Sequence, residues 1–141
     1  MKSRVKGSFA AMRPGYAFAL LGAAYALSGC GASASDQVQA KLEQFAHAVA
    51  ARDTSTLCRQ VLAPDLVDHL NAAGLTCDQA MKTFVQSVAD PSLSVSKVHV
   101  KNDSASAVVL ARAKGQPSSL ESVQLTNTKK GWRLASLASP R

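Results

Sequence analysis

Aromatic side chains are scarce in this 141-residue chain, at 5% of the sequence. Both tyrosines, Tyr16 and Tyr25, precede residue 30, so the rest of the chain has only Phe45, Phe84 and Trp132 as aromatic residues. Without a tyrosine, that part has no phenol that could donate a hydrogen bond to a reaction oxyanion. Tyrosine-based catalysis is therefore excluded from residue 30 onward.

Acidic residues are missing from the start of the chain, where none precedes Asp36. The same segment carries Lys2, Arg4, Lys6 and Arg13, and a basic segment followed by an apolar run is typical of an exported protein. Without these four, twelve of the sixteen basic residues remain against nine acidic ones, so the net charge falls from +7 to +3. This modest balance argues against nucleic acid as a partner.

The apolar run ends in Leu27-Ser28-Gly29-Cys30. This motif resembles the lipobox of bacterial lipoproteins, in which an apolar residue and two small residues precede a cysteine. The resemblance implies removal of residues 1–29 as a signal peptide and acylation of Cys30. The acyl chains would hold the protein on the extracytoplasmic face of the cell membrane. Residues 30–35 would form a flexible tether.

Two other interpretations of this segment remain open. The uncharged stretch 14–35 is long enough to span a bilayer as an uncleaved signal anchor, although its most apolar part, residues 16–27, is short for a span. Alternatively, Cys30 is an ordinary cysteine in a soluble chain.

Apolar residues recur at intervals of three and four between residues 36 and 89, which predicts three main helices. An additional short helix is expected to begin at Pro64, whose fixed φ suits a first turn. Each main helix follows a side chain that can accept a hydrogen bond from a free backbone amide. The expected caps are, in chain order, Ser35 or Asp36, Asp53 or Thr54, and Thr76 or Asp78.

The second half of the chain changes to a period of two, which predicts strands. The apolar parity changes between Val95 and Val98, which indicates a β-bulge near residues 96–97, and Asn102-Asp103 predicts a turn. Residues 108–110 are all apolar, as in a central strand covered by helices. The four strands are expected near residues 93–100, 105–112, 120–126 and 132–137. Helices followed by an antiparallel meander define an α+β fold.

This order of elements resembles the NTF2-like superfamily, in which a curved sheet wraps helices into a cone. The resemblance is carried by residues 45–53, a helix ending in a basic-acidic step, and by Gly131-Trp132-Arg133-Leu134. It implies an NTF2-like domain at residues 36–141, with about three N-terminal helices on a curved antiparallel sheet of four or more strands. The chain is particularly similar to small NTF2-like lipoproteins of actinobacteria. Three side chains are expected to line the cone: Phe45, Phe84 and Trp132.

If Cys30 carries lipid, two cysteines remain, Cys58 and Cys77. An even number of cysteines in an oxidising compartment favours a disulfide between them. Two buried free thiols are the alternative. A metal site is disfavoured because neither cysteine has a closely spaced partner and the nearest histidine, His69, stands alone. No cofactor is expected.

Basic residues of the mature chain cluster only at Lys129, Lys130 and Arg133, around Gly131. A solvated hairpin turn is the favoured interpretation, and contact with lipid headgroups is the alternative. The neighbouring Trp132 is expected in the core, packed against the apolar helix faces that carry Phe45 or Phe84, with an exposed indole as the competing arrangement.

No catalytic set is evident. His47, His69 and His99 are expected at the surface, and the densest polar cluster is Asp65, Asp68 and His69. Enzymes of the resembled superfamily place tyrosine and acids, or histidines and acids, inside the cone, and this chain offers no such set. The protein is therefore expected to bind a small apolar ligand or an envelope protein without catalysis. The alternative is a small hydrolase or isomerase using His99 or the Asp65-Asp68-His69 cluster.

Overall fold

The computed structural model describes residues 31–137, so the predicted signal peptide, Cys30 and the last four residues lie outside the described part. Within residues 31–137, helices precede a four-stranded antiparallel sheet, which confirms the predicted α+β fold. The helices are α1 (Ala34–Ala50), α2 (Thr54–Thr56), α3 (Pro64–Ala72) and α4 (Cys77–Ser87), with a π-helical turn at Leu57–Val61. The strands are β1 (Ser92–Lys101), β2 (Ser104–Arg112), β3 (Ser119–Thr128) and β4 (Gly131–Leu134).

Helix α1 begins earlier than the sequence predicted, because Ser33 is its cap. The Ser33 Oγ accepts a hydrogen bond from the Asp36 amide at 3.1 Å, and the Asp36 carboxylate accepts from the Ser33 amide at 3.1 Å and from its hydroxyl at 2.7 Å. This reciprocal capping box places Ala34 and Ser35 in the first helical turn and takes them out of the expected tether.

The other two predicted caps are confirmed. The Asp53 carboxylate accepts hydrogen bonds from the Thr56 amide at 2.9 Å and the Thr56 hydroxyl at 2.7 Å. Both hydrogen bonds lower the pKa of Asp53 from its usual value, and the bond from the Thr56 amide has the larger effect. Thr76 caps α4 and forms a second capping box with Gln79. Pro64 lies in the first turn of α3, as expected.

The predicted second helix is divided into α2 and the π-helical turn. The Leu62 amide donates to the Leu57 carbonyl at 2.9 Å, and the chain then becomes extended. The Ala63 amide donates to the Leu134 carbonyl at 2.8 Å, so Leu62 and Ala63 lie along the outer edge of β4. Pairing with the sheet therefore ends this helical segment before Pro64.

The sheet has the order β1-β2-β3-β4 and contains the predicted bulge. Val95 pairs with Val109 and Lys97 with Val108, so one extra residue, Ser96, lies between the two registers. The bulge brings the apolar residues before and after it to one face of β1. This inner face of the sheet packs against the helices.

Two predictions about the sheet are wrong. Val108 and Leu110 are only half-buried on the outer face beside Leu120, which is 72% exposed, so the helices within residues 31–137 cover β2 on its inner face alone. Strand β4 also ends at Leu134, short of residue 137. It ends there because the amides of residues 135 and 136 both donate to the Gln124 carbonyl, which stops the ladder.

The core lies between α1, the π-helical turn, α4 and the inner face of the sheet. A disulfide joins Cys58 of the π-helical turn to Cys77 at the start of α4, with a Cα–Cα distance of 5.9 Å, and confirms the predicted bridge.

None of the helices in residues 31–137 combines the length and apolar character that a bilayer span requires. The largest fully buried side chains among the described residues are Leu42, Leu57, Leu125, Leu134, Val38, Val61 and Val109.

Candidate functional site

A cavity of about 480 Å³ lies between α1, α4 and the inner face of the sheet. Its wall is mainly aliphatic and aromatic. Residues from α1 and α4 form one side, and residues from β1, β2 and β3 form the other. Six of its apolar residues are Phe45, Val49, Phe84, Leu93, Val109 and Val123.

Two features of the sequence create this space. Phe45 and Phe84 stack with their ring centroids 6.2 Å apart, and together they form an aromatic part of the wall. Alanines at positions 46, 111 and 113 also line the cavity and fill little of it. The helices and the sheet therefore enclose an apolar space that no local side chain occupies.

The rim of the cavity is held by the loop between β2 and β3. The Gln116 side-chain amide donates to the Ser87 carbonyl at 3.1 Å, and the Lys114 amide donates to the Ala89 carbonyl at 2.7 Å. The Lys114 ammonium also lies 3.9 Å from the Asp90 carboxylate, but both side chains are exposed and such a pair contributes little. The backbone-directed bonds thus fix the loop to the end of α4.

One carboxylate lines the cavity among the described residues, that of Glu121 on β3. Glu121 pairs with Val109 and shares the inward parity of Val123, and its carboxylate accepts a hydrogen bond from the Ser119 hydroxyl at 2.7 Å. Arg112, which is exposed, is the basic residue at the same cavity. The wall therefore carries a few polar groups that could orient a bound molecule.

Glu121 was not among the residues expected to line the cone. The signal was available in the alternation of β3, because Glu121, Val123 and Leu125 occupy every second position and must share a face. The alternation assigns Glu121 to the inner face of the sheet, whereas only the folded structure shows that a cavity lies against that face beside Glu121.

The predicted cone-lining aromatics do not all meet at one place. Phe45 and Phe84 line the cavity, but Trp132 lies beside a different hollow, near the first half of α1. Trp132 pairs with Asn127, two positions beyond the Leu125–Leu134 pair, so it lies past the end of the cavity. It is nevertheless buried, at 3% exposure.

The histidines and the predicted acidic cluster lie away from the cavity. His47, His69 and His99 are exposed, and none of them lines the cavity wall. Asp65 and Asp68 are exposed as well, and the Nδ1 atom of His69 lies 2.6 Å from the Asp65 backbone carbonyl oxygen. The structure thus brings none of the residues proposed for hydrolase or isomerase chemistry to the cavity.

Neither the predicted disulfide nor any metal ligand set forms part of this site. Cys58 and Cys77 are bonded to each other away from the cavity wall. In the part of the chain that the structure describes, no three histidine, cysteine, aspartate or glutamate side chains are grouped to hold a metal ion. Cys30, the predicted site of lipidation, lies outside the described residues.

Comparison with known proteins identifies the architecture. No protein family model and no curated protein matches the sequence. Among solved structures, the chain is similar to an NTF2-like protein of unknown function from Silicibacter pomeroyi DSS-3, with a TM-score of 0.52 and 15% identity, covering 73% of this chain and 93% of that chain. The fold is NTF2-like.

The NTF2-like fold predicted from the order of elements is therefore confirmed. A second similar structure is a Streptomyces avermitilis protein provisionally described as a dehydratase of the NTF2-like family. Its TM-score is 0.49 and its identity 18%, covering 72% of this chain and 90% of that chain. At such identities the likeness extends to the NTF2-like fold alone.

Proposed function

We propose that the chain is a cell-envelope lipoprotein, anchored to the extracytoplasmic face of the cell membrane through Cys30, whose NTF2-like domain binds a small apolar ligand without catalysis. The observation that carries the binding proposal is the apolar cavity of about 480 Å³. The observation that carries the anchoring proposal is the lipobox-like sequence Leu27-Ser28-Gly29-Cys30.

The dimensions and lining of the cavity suit a small apolar molecule. Ligand sites in proteins typically measure about 300 to 1,000 Å³ and have apolar walls with a few polar groups that set orientation. Here the polar groups include Glu121, Ser119 and Gln116, all on β3 or the loop before it. A ligand with an apolar body and one hydrogen-bonding end fits this distribution.

A second candidate function, isomerase or hydrolase chemistry, is favoured by one observation, the Glu121 carboxylate in an otherwise apolar wall. General acid–base catalysis also requires a positioned partner for the transferred proton. The cavity wall, as far as residues 31–137 form it, contains no histidine and no second carboxylate. This argues for a binding role, with Glu121 orienting the ligand.

Filling the cavity is expected to abolish ligand binding while leaving the fold intact. Ala46 is half-buried in the cavity wall on α1, whereas Ala50 is exposed one turn later on the same helix. We expect Ala46→Phe to weaken binding of the neutral apolar dye Nile red by about tenfold or more, a loss of about 1.4 kcal/mol of binding free energy, because the added ring occupies cavity volume that the dye would fill. Dye fluorescence titration of residues 31–141 measures the effect.

The matched control is Ala50→Phe, which adds the same side chain outside the cavity and is expected to leave the dye affinity unchanged. Equal affinity in all three proteins would contradict the proposal that the cavity is the binding site.

A further variant, Glu121→Gln, separates the two functions. A binding domain would retain its dye affinity in this variant. If instead the wild-type protein turns over a substrate and Glu121→Gln abolishes that turnover, the domain is an enzyme.

Membrane anchoring is tested by Cys30→Ser. Because only a thiol can form the lipid thioether, we expect this variant to be released from membranes or to accumulate as an unprocessed precursor. Ser28→Ala is the matched control, since it keeps a small residue next to the proposed cleavage site and is expected to stay anchored. Membrane fractionation and intact mass measure both outcomes. Normal processing and membrane retention of Cys30→Ser would refute lipidation.

A further inference from the structure

A second, more open hollow of about 250 Å³ lies between the first half of α1 and the turn that joins β3 to β4. Its walls include Gln37, Lys41 and Gln44 from α1, and Lys130 and Trp132 from the β3–β4 hairpin. The hollow is separate from the apolar cavity, since no residue lines both. It thus combines two ammonium groups, amide side chains and a buried indole.

Positive charge accumulates around this hollow. A third basic residue, Arg133, is only 8% exposed, which is unusual for a charged side chain. The pKa of Lys41 is lowered mainly by its partial burial and, to a smaller extent, by the positive charge of Arg133. The positive charge of Arg133 therefore disfavours the protonated form of Lys41, in surroundings that solvate charge less well than water does.

No carboxylate compensates this charge within residues 31–137. The one ion pair of the described part joins Lys114 to Asp90, at the rim of the apolar cavity. The two acids of α1 have other partners, because Asp36 belongs to the capping box and Glu43 accepts a hydrogen bond from Gln39. Repulsion between partly buried like charges is unfavourable, and a bound anion would relieve it.

The Lys41 ammonium is also held in place by two hydrogen bonds, which leave its third N–H group without a protein acceptor among the described residues. It donates to the Gln44 side-chain oxygen at 2.6 Å and to the Gln60 carbonyl at 3.0 Å. The Gln44 side-chain amide in turn donates to the Gln60 side-chain oxygen at 3.0 Å. An ammonium has three N–H donors, so one remains for a ligand in the hollow. The position of Lys41 is thus fixed before any anion arrives.

We propose that this hollow binds a phosphate group, through the ammonium groups of Lys41 and Lys130. A phosphate offers several acceptor oxygens and a negative charge in a compact volume, which suits a hollow lined by two lysines better than a single carboxylate does. The phosphate belongs either to a phospholipid headgroup or to a soluble molecule. The proposal is independent of the apolar ligand, because the two sites share no lining residue.

The intrinsic fluorescence of Trp132 provides the measurement, because it is the single tryptophan of the chain and lines the hollow. The full chain, held in a nonionic maltoside detergent that contains no phosphate group, is titrated with inorganic phosphate at constant ionic strength. A second arm titrates the same protein with mixed micelles that contain increasing fractions of phosphatidylglycerol. We expect a saturable change of Trp132 emission in at least one arm.

Two variants locate the site, and an exposed lysine provides the control. Lys41→Gln is expected to weaken binding by about tenfold, the usual effect of losing one charge-assisted hydrogen bond. Lys130→Gln, at an exposed turn position where folding is not at risk, is expected to weaken it in the same direction. Lys82→Gln removes the same charge from the exposed side of α4 and is expected to have no effect.

The outcomes separate the possible sources of the phosphate. Saturation with inorganic phosphate alone supports a soluble ligand, saturation with phosphatidylglycerol alone supports a headgroup, and saturation in both arms supports the shared phosphate chemistry. The proposal is overturned if neither arm saturates. It is equally overturned if Lys82→Gln weakens binding as much as Lys130→Gln does, because the effect would then be one of net charge.

Discussion

Replacing Trp132 with alanine is expected to lower the free energy of unfolding by about 3 to 5 kcal/mol, the usual cost of removing a buried large aromatic side chain. Trp132 is 3% exposed and belongs to the same core as Val38 and Leu42 of α1. The whole stability of a small domain is only about 5 to 15 kcal/mol. This single substitution is therefore expected to threaten folding.

The neighbouring hollow determines where in that range the loss should fall. Trp132 lines an open space of about 250 Å³, so water can enter the volume that the indole leaves. We therefore expect a value near the lower end, about 3 kcal/mol. Trp132→Phe keeps an aromatic ring against α1 and is the matched control, with a substantially smaller expected loss.

Urea unfolding followed by far-ultraviolet circular dichroism measures both variants, because Trp132→Ala removes the only tryptophan fluorescence. A loss below about 1 kcal/mol, the range of ordinary surface changes and mild substitutions, would show that the indole contributes little to the core. That result would instead favour the exposed arrangement that the basic neighbours of Trp132 suggested.

Local signals in the sequence predicted most of the architecture. The bulge in β1 was predictable because Val95 and Val98 have opposite parity, and the structure resolves this conflict with one extra residue between the paired positions. The turn at Asn102 was predictable for a similar reason, since asparagine tolerates the positive φ of 52° found there. Such features depend on residues close in sequence.

The start of α1 shows a local signal that was present but not used. Ser33 and Asp36 have the spacing of a capping box, serine followed three residues later by an acid. The prediction considered Ser35 and Asp36 as caps individually. The reciprocal pair satisfies more of the free backbone amides than either residue would alone, so the helix begins at Ala34.

The remaining differences depend on long-range packing. Hydrophobicity indicated that Trp132 is buried, but its neighbours are set by where α1 crosses the hairpin. Similarly, the apolar character of Val108 and Leu110 could not show that all described helices pack on the opposite face of the sheet. The cavity itself results from alanines distant in sequence, such as Ala46 and Ala111, that meet only in the fold.

The Lys41 site had a partial signal. The basic residues around Gly131 formed a recognisable cluster, and a solvated turn was the favoured interpretation. The structure adds Lys41, which lies almost ninety positions earlier in the chain, and shows that Arg133 is buried. No pattern along the sequence connects a lysine on α1 to a hairpin turn, so the convergence of these charges could not be predicted.

Removing the disulfide by combining Cys58→Ser with Cys77→Ser is expected to destabilise the domain by about 3 kcal/mol, since closing a loop of about 20 residues restricts the denatured chain by that amount. The two cysteines are 19 positions apart. In addition, α3 lies between the two cysteines and loses the crosslink that restrains its ends, so we expect it to open locally more easily than the rest of the domain. That helix has no fully buried residue and contacts the core only through half-buried Leu66, Val67 and Leu70.

Hydrogen–deuterium exchange distinguishes this local effect from a uniform one. In the double variant, we expect the amides of α3 to exchange much faster than in the wild type, while the central strand β2 changes only by the global loss of stability. Reducing the wild-type protein with dithiothreitol is the control, because it should reproduce the exchange pattern without any substitution. If maleimide instead labels both Cys58 and Cys77 in denatured, unreduced wild-type protein, the bridge is absent and α3 must be held by its apolar contacts alone.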